Sequence, residues 1–146
     1  MKNVVKFCIL PVLLLMVCGN LKAQWSINLI EYDVSGGKGS SAGNPILIES
    51  AGHLAYLANR VANVANYSQN MFFEQTQDIN LNVNAWDVPI GISAARPFQG
   101  TFDGKGCKIL NIGAIASGET YRGLFGRTSG AVINNVIMAL RKRLKS

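Results

Sequence analysis

The chain has 146 residues, 49% of them hydrophobic and 15% charged, with 14 Lys plus Arg against 8 Asp plus Glu for a formal net charge of +6. The excess sits at the two ends: without Lys2, Lys6, Lys22, Arg141, Lys142, Arg143 and Lys145, residues 24–140 hold 7 basic and 8 acidic groups, a balance of −1. A body so close to neutral lacks the basic stripe that phosphate binding needs, which argues against a nucleic-acid partner.

Lys2 and Lys6 precede an unbroken apolar run from Phe7 to Cys18, followed by Leu21-Lys22-Ala23. Charged, apolar and small residues in that order read as a secretory signal over residues 1–23, cleaved before Gln24. The run contains Pro11 and falls well short of the length that a bilayer demands. A transmembrane helix needs about 20 apolar residues, so no membrane span is expected in the mature chain. The chain is therefore expected outside the inner membrane, at the cell surface or free. Lipidation at Cys18 is the less favoured route, because bulky Val17 precedes it. Once the signal is removed Cys107 is the one remaining cysteine, which precludes an internal disulfide.

Residues 24–44 are polar and Gly/Ser-rich, centred on Gly36-Gly37-Lys38-Gly39-Ser40-Ser41, and read as a flexible lead-in. A short apolar strand, Ile46-Leu47-Ile48, precedes Ser50, a good helix N-cap. Leu54, Leu57, Ala58, Val61 and Ala65 then recur at helical spacing and predict an amphipathic helix over 51–64. After Met71 the pattern changes to short apolar groups separated by Gly, Asn and Asp, which predicts many short strands joined by tight turns.

Two of these groups echo each other. Gly100-Thr101-Phe102 recurs as Gly123-Leu124-Phe125, and Ile109, Asn111 and Ile112 recur one position further on, as Ile133, Asn135 and Val136. Both spacings are in the low twenties, and repeats of that length predict a solenoid in which each coil covers the apolar face of the last. In that arrangement Phe102 and Phe125 stack inside, and Asn111 lies over Asn135 in an amide ladder. The alternative is chance similarity within an antiparallel β-sandwich.

Six blocks follow one another in an order that resembles the GLUG-motif surface proteins: Ile46-Leu47-Ile48, Leu54-Ala55-Tyr56-Leu57-Ala58, Asp78-Ile79-Asn80-Leu81, Trp86-Asp87-Val88-Pro89-Ile90-Gly91, Phe98-Gln99-Gly100-Thr101-Phe102-Asp103-Gly104 and Gly123-Leu124-Phe125-Gly126. These are repeat-bearing, adhesin-like exported proteins of Bacteroidetes, whose module also occurs beside immunoglobulin A protease domains. The resemblance spans roughly residues 45–137. It implies a right-handed parallel β-helix with one amphipathic helix at its start, and it supplies no ligand. Two residues depart from the pattern: Cys107 stands where His is usual, and Gln75 where an apolar residue is usual. Further coils are expected after Val136, yet a basic tail follows, which reads as a truncated or frame-shifted member with an open last coil prone to self-association.

No motif for catalysis emerges. His53 and Cys107 form the one Cys/His combination available to the mature chain, and no flanking signature supports it as nucleophile and base. Asp78, Asp87 and Asp103 each adjoin a turn, where Asp commonly caps its own backbone. Neither an acid pair nor a calcium or zinc loop is assembled. Tyr56, Tyr67, Trp86 and Tyr121 are candidates for a stacking surface. Trp86 and Tyr121 lead among them, although a capping role at the side of the coil is the favoured reading for Trp86.

The sequence thus reads as a mainly β chain: signal 1–23, lead-in 24–44, β-helical module 45–140 and basic tail 141–146. Its expected function is that of a noncatalytic surface module without cofactor or metal, adhesin-like or structural, whose partner is a host or cell-surface glycan or protein. The alternative is a fragment of a polysaccharide-active or protease-associated β-helix enzyme.

Overall fold

Ser50 opens the helix where the sequence places it. Its extended backbone turns the side chain onto the first helical turn, and its Oγ accepts the His53 N–H at 3.1 Å. The structure, a computed structural model, describes residues 28–82, 86–112 and 123–139. The signal, Cys18, Tyr121 and the basic tail lie outside them. Helix α1 covers Ala51–Asn63 and buries Leu54, Leu57, Ala58 and Val61, the apolar stripe of the sequence pattern. It stops just short of the expected end, where Val64 turns to extended backbone.

The strands are β1 (Ile46–Ile48), β2 (Phe72–Gln75), β3 (Ile79–Asn80), β4 (Thr101–Asp103), β5 (Lys108–Leu110), β6 (Val132–Asn134) and β7 (Ile137–Ala139). They form one sheet in the order β1-β2-β4-β6 and a second in the order β3-β5-β7. Every pairing in both sheets is parallel. That overturns the antiparallel sandwich alternative: each strand joins a neighbour reached by a long excursion of chain, not by a hairpin. Among the described residues the regular structure is mainly strand, in parallel sheets, with one α-helix.

Register corrects the repeat. In the larger sheet Ile46 faces Phe73, Phe73 faces Phe102, and Phe102 faces Ile133. In the smaller sheet Ile79 faces Ile109 and Ile109 faces Met138. Each of these steps carries the chain forward by close to thirty positions, clearly more than the spacing of the sequence echoes. The echoes therefore do not mark equivalent positions. Gly123-Leu124-Phe125 lies beside Ile90, in an isolated parallel bridge from Ile90 to Phe125, and not beside β4. Phe102 and Phe125 still meet, edge to face at 5.3 Å, because both point into the core from different places.

Asn111 and Asn135 likewise do not ladder with each other. Asn111 Nδ2 donates to Asn80 Oδ1 at 3.1 Å beside the smaller sheet, and Asn135 Nδ2 donates to Asp103 Oδ1 at 3.0 Å at the corner between β6 and β7. Both adopt a left-handed φ of 53°, which Asn tolerates better than most residues because its short amide bonds locally.

The described part of the Gly/Ser-rich lead-in is tied to the body at several points. Tyr32 is buried and its hydroxyl shares a 2.9 Å hydrogen bond with Tyr67. Asp33 pairs with Lys38. Ile30 N–H donates to Gly52 O, and Gly39 O accepts from Phe72 N–H, so this segment continues the ladder beside β2. An aromatic string runs through the core from Tyr32 to Phe73, Phe98, Phe125 and Phe102, with successive centroids 6.2, 5.9, 5.2 and 5.3 Å apart. Gln75, the departure noted in the sequence, points into this core and is fully buried. Its Nε2 donates to Gln77 O and Lys108 O, tying the β2–β3 corner to β5.

Candidate functional site

Alternation along each short strand sends Phe73 and Phe102 inward and leaves their neighbours on the outer face of the four-stranded sheet. Register aligns those neighbours in two rows. Phe72, Thr101 and Val132 form one, and Leu47, Glu74, Asp103 and Asn134 form the other. A groove of about 230 Å³ lies over these rows, walled by Ala42 and Pro45 from the segment that leads into β1. Phe72 is half-buried, with its ring beside a polar row.

Lys105 closes the polar side. It follows Asp103 in the β4–β5 corner with φ 52°, and its Nζ lies 3.2 Å from Glu74 Oε2 and 3.7 Å from Asp103 Oδ2. Asp103 Oδ1 accepts from Asn135 Nδ2 and, at 2.9 Å, from Lys105 N–H. Those donors, the Asn135 amide foremost, hold the Asp103 carboxyl below the usual carboxylate range. Glu74 in turn raises the Lys105 ammonium above its ordinary value. At neutral pH the groove therefore presents an ionised Asp103 and a charged Lys105, a set of fixed acceptors and donors rather than a protonated acid beside a base.

A second cavity, of about 240 Å³, separates α1 from the stretch 87–92. Ala55, Ala62, Val88, Pro89 and Ile92 make it largely apolar, with Asn59, Asn63 and Asp87 at its rim.

Trp86 does not serve as an exposed stacking face. It is 1% exposed, and its Nε1 donates to Leu124 O at 3.3 Å, which satisfies the one polar atom of a buried indole. Leu124 O also accepts from Ile90 N–H, and Gly126 N–H donates to Ile90 O, so Gly123 to Gly126 form a framework beside Ile90. Gly100 and Gly104 are close-approach positions: a Cβ at Gly100 would lie 2.7 Å from Met71 O, and one at Gly104 2.5 Å from Asn135 O. His53 accepts the Glu49 N–H at its Nδ1 and packs edge to face on Tyr32, whereas Cys107 is half-buried in the β4–β5 corner. The two lie on different elements and do not form a nucleophile and base.

Of the three acids, Asp103 caps its own turn as expected. Asp78 instead reaches across to Lys108 N–H at 2.7 Å, joining the corners that precede β3 and β5. Among the described residues no group of three or more His, Cys, Asp or Glu is placed to hold a metal, and no helix is long and apolar enough to cross a membrane. The outer groove escaped sequence reasoning. Only Thr101-Phe102-Asp103 alternates in the sequence; Phe72-Phe73-Glu74-Gln75 does not, although its burial alternates, and the groove becomes a site once Glu74 is known to face Asp103. Compared with known proteins, the chain matches no family model, no curated protein and no solved structure.

Proposed function

We propose that the chain is an exported, noncatalytic surface module of the GLUG-motif kind, whose strands are successive coils of a right-handed parallel β-helix. The observation that carries this reading is the regular parallel addition of one strand to each sheet at nearly constant intervals along the chain. A solenoid is built by that kind of addition, and its outer faces are extended surfaces suited to binding. Stacked Asn and Asp corners support the reading, since Asn80 with Asn111 and Asp103 with Asn135 link neighbouring coils by side-chain hydrogen bonds. The charged, apolar and small-residue order of residues 1–23 supports export.

The test is expression of the full chain in a Gram-negative host, with the mature N-terminus read by mass spectrometry and intact cells labelled by a membrane-impermeant reagent. The expected product begins at or near Gln24 and is labelled on intact cells. A diacylated Cys18 would move it to the lipoprotein route. Unprocessed Met1 in a product confined to the cytosolic fraction would refute export.

A further inference from the structure

We propose that the groove on the outer face of the four-stranded sheet binds a neutral pyranose unit of a surface or matrix glycan. Its two rows of side chains point to this class. Phe72 offers a half-buried ring whose face suits the C–H bonds of a sugar ring, while the row one step along the sheet offers hydroxyl-binding groups at Glu74, Asp103 and Asn134. An apolar face on one side and hydrogen-bonding groups on the other match the two-sided character of a pyranose.

Two of these polar groups, Glu74 and Asp103, are held before any ligand arrives. Lys105 spans Glu74 and Asp103, and Asn135 and the Lys105 N–H hold Asp103 Oδ1 in place. Little side-chain freedom is then lost on binding, which favours affinity from a small contact area. The volume of about 230 Å³ is at the scale of a single sugar ring.

Charge narrows the class further. Two carboxylates against one ammonium leave the groove net negative, which disfavours uronic acids and sulfated sugars. A divalent cation would compete with the Lys105 ammonium, which already sits between the carboxylates. An extended peptide would bind through main-chain hydrogen bonds at a sheet edge, and β2 and β4 on the groove floor are paired on both sides.

The surface-module reading supplies the source of such a ligand, and the inference rests on it for that alone. Binding is measured with the purified protein and a panel of neutral β-linked tetrasaccharides of glucose, mannose, galactose and N-acetylglucosamine, beside a galacturonic acid tetrasaccharide. Titration calorimetry and saturation-transfer NMR are the readouts. At least one neutral oligosaccharide is expected to bind, and the acidic one at least about tenfold more weakly. Phe72→Leu keeps an apolar side chain but removes the ring, and Asp103→Asn keeps the shape but removes the charge. Each is expected to weaken binding by about tenfold or more. Asn59→Ala, in the other cavity, is expected to leave it unchanged. Equal binding of the acidic sugar, no neutral binding at millimolar concentrations, or binding indifferent to both groove variants would overturn the proposal. Asp103→Asn decides the matter should Phe72→Leu fail to fold. Since the titration uses purified protein, its outcome is independent of whether cells export the chain.

Discussion

Gly104 marks the closest approach of two corners, and adding one methyl there tests the stacking directly. An ideal Cβ at Gly104 falls 2.5 Å from Asn135 O, 2.8 Å from Val136 Cα and 2.9 Å from Asn135 C. All three are backbone atoms and none can rotate away. Carbon atoms pack best at about 3.5–4.0 Å, so the β6–β7 corner has to retreat by roughly 1 Å in Gly104→Ala. That movement stretches the Gly104 N–H to Asn134 O bond at 2.8 Å and the Gly106 N–H to Asn135 O bond at 3.1 Å. Overpacking and weakened hydrogen bonds together should cost about 2–4 kcal/mol. In urea unfolding the midpoint is expected to fall by about 1–2 M. Two controls separate crowding from backbone preference. Gly43→Ala has its nearest neighbour, Ser41 Oγ, at 4.0 Å and an ordinary φ, and should be neutral or more stable by about 0.4–1 kcal/mol. Gly106→Ala meets nothing within 4 Å but sits at φ +73°, and should lose about 1–2 kcal/mol. A Gly104→Ala midpoint indistinguishable from that of Gly43→Ala would refute the close stacking of the corners.

Further outcomes follow from the core, the helix cap and the titrating groups. Phe102→Ala removes a fully buried ring from the end of the aromatic string and should cost about 3–5 kcal/mol by urea unfolding, where substitution of exposed Val132 by Ala stays within about 0.5. Ser50→Ala deletes the bond to His53 N–H and should lower stability by about 1 kcal/mol, with Ser50→Gly costing only a few tenths. The lowered pKa of Asp103 contributes stability that is present above the usual carboxylate range and lost as pH falls towards its native value. The thermal midpoint should therefore drop less steeply as pH falls through and below the usual carboxylate range in Asp103→Asn than in the parent chain. Burial, reinforced by Tyr67, pushes the Tyr32 phenol far above its ordinary value. Its contribution is complete below about pH 10 and lost above it, so phenolate absorbance from Tyr32 should appear only as the chain unfolds.

The helix was legible because its 3.6 periodicity and a Ser cap point one way. The strands were legible as apolar groups, but their partners were not. A row such as Ile46, Phe73, Phe102 and Ile133 asks only for an apolar side chain at each step, so stacking leaves no strict self-similarity to find. The excursions between rows also vary in length, which let a shorter chance echo stand out. Polarity misled at two further points. Among its described residues, the Gly/Ser-rich segment before β1 is anchored by one buried large side chain, Tyr32, by the backbone of buried Gly39 and by the Asp33 to Lys38 pair, too sparse a signal to outweigh its composition. Trp86 was legible as a structural cap but not as a fully buried residue, because the carbonyl that satisfies its indole belongs to Leu124, distant in sequence. Gln75 was visible as a misfit, and only the structure shows the two carbonyls that its amide joins.

The parallel stacking on which the functional reading rests is tested most directly by register-specific cross-linking. In a Cys107→Ser background, Thr101→Cys with Val132→Cys places two thiols on facing residues of β4 and β6, a strand spacing of about 4.8 Å. Thr101→Cys with Leu124→Cys places them where the sequence echo would put facing residues, although Leu124 is buried beside Ile90. Each purified protein is treated at low concentration with a short bis-maleimide and mapped by peptide mass spectrometry. Parallel stacking in the observed register predicts an intramolecular link in the 101–132 pair and little in the 101–124 pair. Efficient linkage of 101 to 124 with none between 101 and 132 would contradict it.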